Sequence, residues 1–254
     1  MTQTLREWLK KDDFTLTMSS GFFGFYAHLG FLSVLEEENI IPNKITGSSA
    51  GALVGGIFAS GLSTKEIKDF LFKLNKEAFW DPIGFGGLLR GDKFKILLDS
   101  LIPIRNINNT KIKLKLSTFN LNKRRTEVLE DEDLVNAIYA SCAVPFMFQP
   151  LVKNKNLYFD GGVLDRPGLA GAEENERVFY HHLVSNSMWR KKLKLGTSIP
   201  QKNNMVSLSI KNLPKVRPNN LKNGVSAYEY ARNATKKALD IKIKEINSIM
   251  QVIV

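Results

Sequence analysis

The amino-acid sequence predicts an α/β fold in which helices cover a mostly parallel central sheet. Two patterns lead to this class: strand-like and helix-like segments alternate from residue 14 onward, and glycine-containing turns separate them. The chain has 254 residues, of which 43% are hydrophobic, and this is enough for a sizeable core. Because no repeat or low-complexity linker divides the chain, we expect a single domain over residues 1–254.

The first strand and the first helix occupy an uncharged stretch. Residues 14–18, FTLTM, alternate apolar and polar side chains as a short strand does, and residues 19–21, Ser-Ser-Gly, end the alternation. From about Phe25 the apolar residues follow helical spacing, and this helix closes on the acidic segment 36–39.

A second strand and helix repeat this arrangement. A strand is predicted at about 43–46 and ends at Gly47, and a helix of small residues follows from Ala50 to Ser60, where Gly61 stops it. The order of strand, glycine turn and helix therefore occurs twice in succession, as a parallel sheet requires.

The later elements are predicted from periodicity. Ser63 and Glu66 form a capping-box pattern at the start of a helix. In the closing helix, apolar residues recur on one side from Ala227 to Ile241. The predicted helices cover 63–74, 131–143 and 226–250, and the predicted strands cover 111–119, 157–160, 177–184 and 205–210.

The chain is strongly basic, with 36 Lys and Arg residues against 25 Asp and Glu residues and a net charge of +11. This charge favours an anionic partner, but its sign does not choose among nucleic acid, lipid headgroups and acidic proteins. The densest clusters, at 111–115 and 190–194, are short enough to be solvated surface. With Cys142 as its one cysteine, the chain can form no intrachain disulfide and no cysteine-rich metal site.

Two long runs without charged residues, 14–35 and 45–64, raise the question of membrane insertion. Serine and glycine pairs interrupt both runs, whereas a spanning helix needs about 20 predominantly apolar residues, so we expect both runs to be buried core. The N-terminal segment 1–14 is amphipathic and carries acids where a signal peptide would be apolar. The sequence therefore predicts a cytoplasmic protein without signal peptide or transmembrane helix, with any membrane contact made at the membrane surface.

The sharpest chemical signal is the segment TGSSAGALVGG. Gly47, Ser49 and Gly51 fit G-x-S-x-G, the nucleophile elbow, in which a serine lies on a tight turn between a strand and a helix. Side chains at the two glycine positions would collide with neighbouring backbone in so sharp a turn. The pattern alone is weak, but here it falls where periodicity independently ends a strand and starts a helix. Ser49 is therefore a candidate nucleophile.

A serine nucleophile needs a base to take its proton. One alternative is a Ser-Asp-His triad with Asp160 or Asp165 and His181 or His182, in the chain order of α/β-hydrolases. The other is direct action of Asp160, which ends a strand before two glycines. Functional groups gather at the carboxyl ends of parallel strands, where Ser49 and Asp160 are both predicted, while the two histidines fall inside a strand. This placement favours Asp160.

The glycine-rich segment SSGFFGFY suits the oxyanion that serine attack produces. An oxyanion needs backbone N–H donors, and this turn follows a strand and precedes a helix N-terminus with positive potential. A dinucleotide site would need G-x-G-x-x-G, of which only Gly21 and Gly24 are present. The turn therefore points to anion stabilisation during catalysis.

Four segments, in this order, resemble the patatin-like phospholipase family. They are SSGFFGFYAHLGFLSVLEE, GSSAG, ASCAVPFMFQP at 140–150 and DGGV at 160–163, and the resemblance covers residues 14 to about 167. It implies a three-layer α/β/α fold and a serine lipid acyl hydrolase with a Ser/Asp dyad, without histidine, metal or cofactor. By this resemblance Ser49 is the nucleophile and Asp160 the base. It also implies an oxyanion hole from the backbone N–H groups of Gly21, Phe22, Phe23 and Gly24, and motif glycines Gly47, Gly51, Gly161 and Gly162.

The chain departs from the family pattern at two places. In the first segment, bacterial and plant members usually have G-G-x-R or G-G-x-K, whereas this chain has Phe22 and Phe23 before Gly24. After D-G-G, the usual asparagine is absent and the residues LDRP stand in its place. Backbone donors survive such changes, so we expect hydrolysis of a lipid or phospholipid ester through an acyl-enzyme, and no nucleic-acid partner. Two alternatives stay open: a lipid-binding homologue without turnover, and an esterase with a histidine triad.

We also expect an apolar flap at 79–91, where Trp80, Phe85 and Leu88 would meet acyl chains or a lipid surface. Packing of these residues in the core is the other interpretation. Residues 168–254 carry no recognised motif and are expected to complete the strands and helices of the domain.

Overall fold

The computed structural model describes residues 3–83, 88–184, 198–243 and 249–252. The helices in these ranges are α1 (Leu5–Lys11), α2 (Phe25–Glu37), α3 (Ala50–Ala59), α4 (Thr64–Leu71), α5 (Lys76–Phe79), α6 (Asp92–Leu101), α7 (Leu134–Cys142) and α8 (Asn223–Leu239). The strands are β1 (Gln3–Thr4), β2 (Thr15–Met18), β3 (Lys44–Ser48), β4 (Lys113–Asn120), β5 (Arg125–Leu129), β6 (Leu151–Lys153), β7 (Asn156–Asp160), β8 (Val178–His182), β9 (Met205–Ile210), β10 (Lys242–Ile243) and β11 (Ile249–Val252).

Nine strands of the described ranges form one mixed sheet. Its order is β11-β9-β8-β2-β3-β4-β7-β6, and β5 also pairs with β4. The strands from β11 to β4 run parallel to one another. In contrast, β5 and β7 are antiparallel to β4, and β6 is antiparallel to β7. Helices flank this sheet, so the predicted three-layer α/β/α fold is confirmed.

Most of the two uncharged runs is buried in the core, as expected, apart from turn residues within 20–24 and 61–63. Strands β2 and β3 are buried along their whole length, and so is every residue of α3. A helix enclosed between the sheet and its neighbours can be apolar on all sides, which explains the absence of charge. Across the ranges that the structure describes, no helix is both long and apolar enough to cross a membrane.

Most predicted elements are present with small shifts at their ends. Helix α4 begins at Thr64, and Ser63 and Glu66 form the predicted capping box. Helix α7 begins three residues later than predicted, because Asp133 caps it by accepting the Asn136 N–H.

The prediction of a closing helix from 226 to 250 was wrong in its second half. Helix α8 ends at Leu239, and the chain continues into β10 and β11, of which β11 pairs in parallel with β9. The physical reason lies in the residues after the helix: β-branched Ile241 and Ile243 alternate with lysines, and this pattern favours a strand.

Three described helices, α1, α5 and α6, had no counterpart in the prediction. Helix α1 begins with a capping box of Thr4 and Glu7, and its Trp8 ring packs under the Arg177 guanidinium at 3.7 Å. Helix α6 follows Gly91, which has a φ of 82° that favours glycine. The basic cluster at 190–194 lies outside the described residues.

Candidate active site

Ser49 lies on a strained turn between β3 and α3. Its backbone has a φ of 54° and a ψ of −115°, a conformation that residues other than glycine rarely adopt. A side chain at Gly51 would place its Cβ 2.1 Å from the Met18 carbonyl oxygen, and one at Gly47 would lie 2.8 Å from the Gly51 carbonyl carbon. The two glycines therefore permit the close approach of backbone that the turn needs, as the elbow pattern predicts.

Residues at the end of α7 hold the backbone of this turn. The Ser49 N–H donates to the Ser141 Oγ at 3.0 Å, and the Ser141 hydroxyl donates to the Ser117 carbonyl at 2.7 Å. The Cys142 Sγ lies 3.2 Å from the Ser49 carbonyl oxygen, to which it donates. Burial, and secondarily the charge of Asp160, raises the pKa of the Cys142 thiol well above its usual range, so the thiol keeps its proton. The segment ASCAVP thus supports the elbow.

Asp160 ends β7 and is 4% exposed. Its Oδ1 accepts the Gly162 N–H at 2.7 Å, and its own N–H donates to the Ala143 carbonyl at 2.9 Å. A Cβ at Gly161 would lie 2.2 Å from the Ser117 carbonyl oxygen, and one at Gly162 would lie 2.3 Å from the Ser20 Oγ. The two glycines after Asp160 therefore let this turn pack directly on the neighbouring strand ends.

The sheet brings Asp160 towards Ser49 by a route that the sequence did not predict. Strand β7 is antiparallel to β4, so Asp160 does not end a parallel strand. However, Ser48 pairs with Ser117 across β3 and β4, and the next residue, Thr118, pairs with Asp160. The carboxyl end of β3 and the end of β7 therefore meet at one point along β4.

Ser49 and Asp160 line one cleft of about 1200 Å³. The segment from Ser20 to Gly24 lines the same cleft, so the structure brings together all the predicted catalytic and oxyanion-hole residues. In this segment, Phe22–Gly24 form a 3₁₀ turn directly before α2, and Phe22 has a φ of 51°.

One of the four predicted oxyanion donors is already used inside the turn. The Gly24 N–H donates to the Gly21 carbonyl at 2.8 Å. Among the described residues, no acceptor pairs with the N–H groups of Gly21, Phe22 or Phe23. These three groups are therefore the ones that could receive an oxyanion.

A second, apolar cavity of about 100 Å³ opens at Ser49. It is enclosed by α3, α4, α6, the 3₁₀ turn and the segment that follows α7. Its lining includes Phe25, Leu53, Phe70, Leu71, Leu74, Phe79, Phe94, Leu97, Leu98, Met147 and Phe148. Because it shares Ser49 and Phe22 with the larger cleft, the serine stands where an apolar space meets a polar one.

The predicted flap at 79–91 is only partly described. Phe79 lines the apolar cavity, whereas Trp80 and Leu88 are half-buried, and Phe85 lies outside the described residues. The Trp80 ring packs on the core, with the Lys76 ammonium 4.2 Å from its centroid. The sequence analysis missed the part of the cavity lining that comes from α4 and α6, because these helices carry no motif.

Two of the three histidines are paired with each other inside the core. His28 and His181 are fully buried, and their Nδ1 atoms lie 2.8 Å apart. Since the His28 Nε2 must donate to the Ser19 carbonyl, its Nδ1 accepts the proton of the His181 Nδ1. Burial lowers the pKa of His28 to about 4 and that of His181 well below its usual range, so both rings are neutral at pH 7.

The third histidine and the alternative aspartate also have hydrogen-bond partners. His182 lines the cleft, its Nδ1 lies 2.8 Å from the Tyr180 hydroxyl, and burial lowers its pKa to about 4. Asp165 accepts the Ser117 hydroxyl at 2.6 Å, and its carboxylate accepts three further N–H groups from Gly168, Leu169 and Ala170. Asp165 therefore fixes the loop after the D-G-G turn onto β4.

Comparison with known proteins agrees with this architecture. The family model described as patatin-like phospholipase matches residues 16–172. An uncharacterized NTE family protein of Mycobacterium tuberculosis is 30% identical over 154 residues, which cover 59% of this chain and 42% of that protein. The protein named "Probable lipid hydrolase 463L" of Invertebrate iridescent virus 6 is 26% identical over 176 residues, which cover 59% of each.

Among solved structures, VipD from Legionella pneumophila has the same fold. It superposes with a TM-score of 0.67 at 16% sequence identity, over 90% of this chain and 67% of that one. The chain spans about half the length of the curated relatives that it matches.

Proposed function

The chain belongs to the patatin-like phospholipase family, and from this premise we propose that it is a lipid acyl hydrolase in which Ser49 is the nucleophile and Asp160 the base. The observation that carries the proposal is the position of Ser49, on a strained elbow in the cleft that Asp160 also lines. The apolar cavity that opens at the serine supports a lipid as the substrate.

In the proposed reaction, the Asp160 carboxylate takes the Ser49 proton as the hydroxyl oxygen attacks an ester carbonyl. The tetrahedral oxyanion accepts hydrogen bonds from free N–H groups in the turn Gly21–Phe23. The ester bond then breaks, and the alcohol leaves with the proton that Asp160 returns. A water molecule, deprotonated by Asp160, releases the acid and regenerates the serine, so one ester and one water give one acid and one alcohol.

We place the first carbons of the acyl chain in the apolar cavity, whose volume of about 100 Å³ suits only part of a chain. Each methylene group removed from water contributes about 0.8 kcal/mol, so a wall of phenylalanine and leucine favours an acyl group over a polar one.

We place the contact with a membrane surface at the mouth of the cleft. Phe146 is 96% exposed and lies between Pro145, which lines the cleft, and Met147, which lines the apolar cavity. Phe22 of the 3₁₀ turn is 48% exposed and lines both spaces. Exposed aromatic side chains beside a lipid site suit insertion into the headgroup region.

The test of the proposal uses p-nitrophenyl butyrate and a fluorophosphonate probe. We expect Ser49→Ala to abolish probe labelling, and Asp160→Asn to lower kcat/KM by about 1,000-fold. Asp69→Asn, the same change on the exposed face of α4, and His182→Asn should leave the rate within twofold. Loss of activity in folded His182→Asn would replace the dyad by a histidine triad, with Asp160 as its acid if Asp160→Asn is also inactive and with Asp165 if Asp160→Asn is active. Lipid binding by a wild-type protein that neither labels nor hydrolyses would indicate the homologue without turnover.

A further inference from the structure

The cleft that contains Ser49 has a strongly basic side. Its described lining includes four cationic residues, called here the cationic wall: Arg166, Lys211, Lys215 and Arg217. Asp160 is the one carboxylate among the described lining residues. Lys211 follows β9 directly, and the segment up to Arg217 forms this side of the cleft.

Three of the four charges of the cationic wall are available to a ligand. Lys211, Lys215 and Arg217 are exposed, and within the described ranges no carboxylate forms an ion pair with any of them. Arg166 is 6% exposed and donates to the Leu183 carbonyl. Burial is the main cause of the lowered pKa of His182, and the positive charge of Arg166 is the second. The positive potential of Arg166 therefore extends into the cleft.

The position of Ser49 sets the orientation of a lipid ester. The serine borders the apolar cavity on one side and the cleft with the cationic wall on the other. If the ester carbonyl lies at Ser49 and the acyl chain fills the apolar cavity, the alcohol part of the ester extends into the cleft. In a glycerophospholipid only the glycerol carbons separate this ester from the phosphate, so the phosphate comes to the basic side.

We propose that the cationic wall binds the phosphate of a glycerophospholipid whose headgroup carries a net negative charge. This inference rests on the proposed function and names its substrate class. A neutral glyceride would leave the exposed charges of Lys211, Lys215 and Arg217 without a counter-charge, and a choline headgroup would bring a cation of its own towards them. An anionic headgroup pairs with the cationic wall. The flexible side chains of the exposed lysines can keep contact with the headgroup as it enters the cleft.

The test compares monomeric dihexanoyl-phosphatidylglycerol with dihexanoyl-phosphatidylcholine, so that adsorption to a surface plays no part. The triple variant Lys211→Gln/Lys215→Gln/Arg217→Gln removes the exposed charges of the wall. We expect the ratio of kcat/KM for the two lipids to fall about 10-fold in this variant, since three exposed charges that pair with the anionic headgroup are lost. An unchanged ratio would overturn the inference.

A matched variant controls for the loss of net charge. Lys10→Gln/Lys11→Gln/Lys113→Gln removes three exposed charges that also lack ion pairs within the described ranges and that lie near the amino ends of β2 and β4. This control should keep the wild-type lipid preference. Hydrolysis of p-nitrophenyl butyrate should be equal in all three proteins, because this ester has no headgroup.

A binding measurement separates this inference from the proposed reaction. Ser49→Ala protein is titrated with the same two lipids by calorimetry, with and without the three glutamine substitutions. Tighter binding of the anionic lipid that depends on the wall supports the inference even if no ester is hydrolysed, and equal binding of both lipids contradicts it. Sn-glycerol 3-phosphate is titrated as well: affinity equal to that of the lipid would assign the wall to a free phosphate ester instead of a headgroup.

Discussion

Replacement of Gly51 by alanine should disable the site while leaving a folded protein. The new Cβ would lie 2.1 Å from the Met18 carbonyl oxygen, whereas an ordinary contact of this kind is about 3.4 Å. The Cβ is rigidly attached to the backbone of α3 and the Met18 oxygen belongs to the backbone of β2, so α3 and β2 must move apart by more than an ångström. Overpacking of this kind costs about 1–3 kcal/mol. Because Ser49 sits on the same turn, a displacement of about 1 Å should lower kcat/KM by about 100-fold.

Gly56→Ala is the matched control, since Gly56 lies in the same helix. Its Cβ would meet the Ile138 side chain at 2.7 Å, and a side chain can rotate away where backbone cannot. We expect Gly56→Ala to retain at least half of the activity against p-nitrophenyl butyrate, with urea denaturation measuring the stability of both variants. If Gly51→Ala kept wild-type activity and stability, the elbow would not depend on the close approach of α3 and β2, and the reasoning from backbone contact would be refuted.

Three further predictions follow from the same contacts. Ser141→Ala should lower the free energy of unfolding by about 1–3 kcal/mol in urea titrations, because it leaves the buried Ser49 N–H without its acceptor. The control, Ser60→Ala, removes one hydrogen bond from a buried serine to a helix carbonyl, and it should lower the free energy of unfolding by less. The folded pKa of His182 is about 4 and its unfolded value about 6.5, so the unfolded chain binds more protons between these values and stability falls as pH drops through this window. His182→Asn should therefore make the fall in urea stability between pH 6 and 5 shallower by up to ~1.4 kcal/mol per pH unit, and an unchanged slope would contradict the buried neutral ring. Phe146→Ser should reduce hydrolysis of phospholipid vesicles several-fold while the rate on a monomeric ester stays constant; equal losses on both substrates would place Phe146 in the active site instead of at a membrane.

Local patterns in the sequence predicted the parts of the site that depend on local backbone geometry. The strand, glycine turn and helix around Ser49 follow from periodicity and from the small size of Gly47 and Gly51. The helix after Phe25 and the capping box at Ser63 follow from the same short-range rules.

Features that depend on contacts between distant segments were not predictable in this way. The antiparallel direction of β7, the cavity lining from α6 and the cationic wall all bring together residues far apart in the chain. The end of α8 was mispredicted because an alanine stripe continues into isoleucines, and the pairing of β11 with β9 decides the state of that segment. Hydrophobic periodicity is a property of one segment, so it does not show which other segment of the chain will pair or pack with it.

The pairing of β4 with β7 has a consequence for natural and engineered variation. Asp160 reaches the cleft through its alignment with Thr118, and side chains alternate between the two faces of a sheet. Residues added or lost in the exposed turns of this connection leave the alignment intact, whereas a slip of one position would turn the carboxylate to the opposite face. Length changes should therefore be tolerated at 121–124 and 154–155 and be excluded from β7 itself. The neighbour that Asp160 faces on β4 then matters more than its distance along the chain from Ser49.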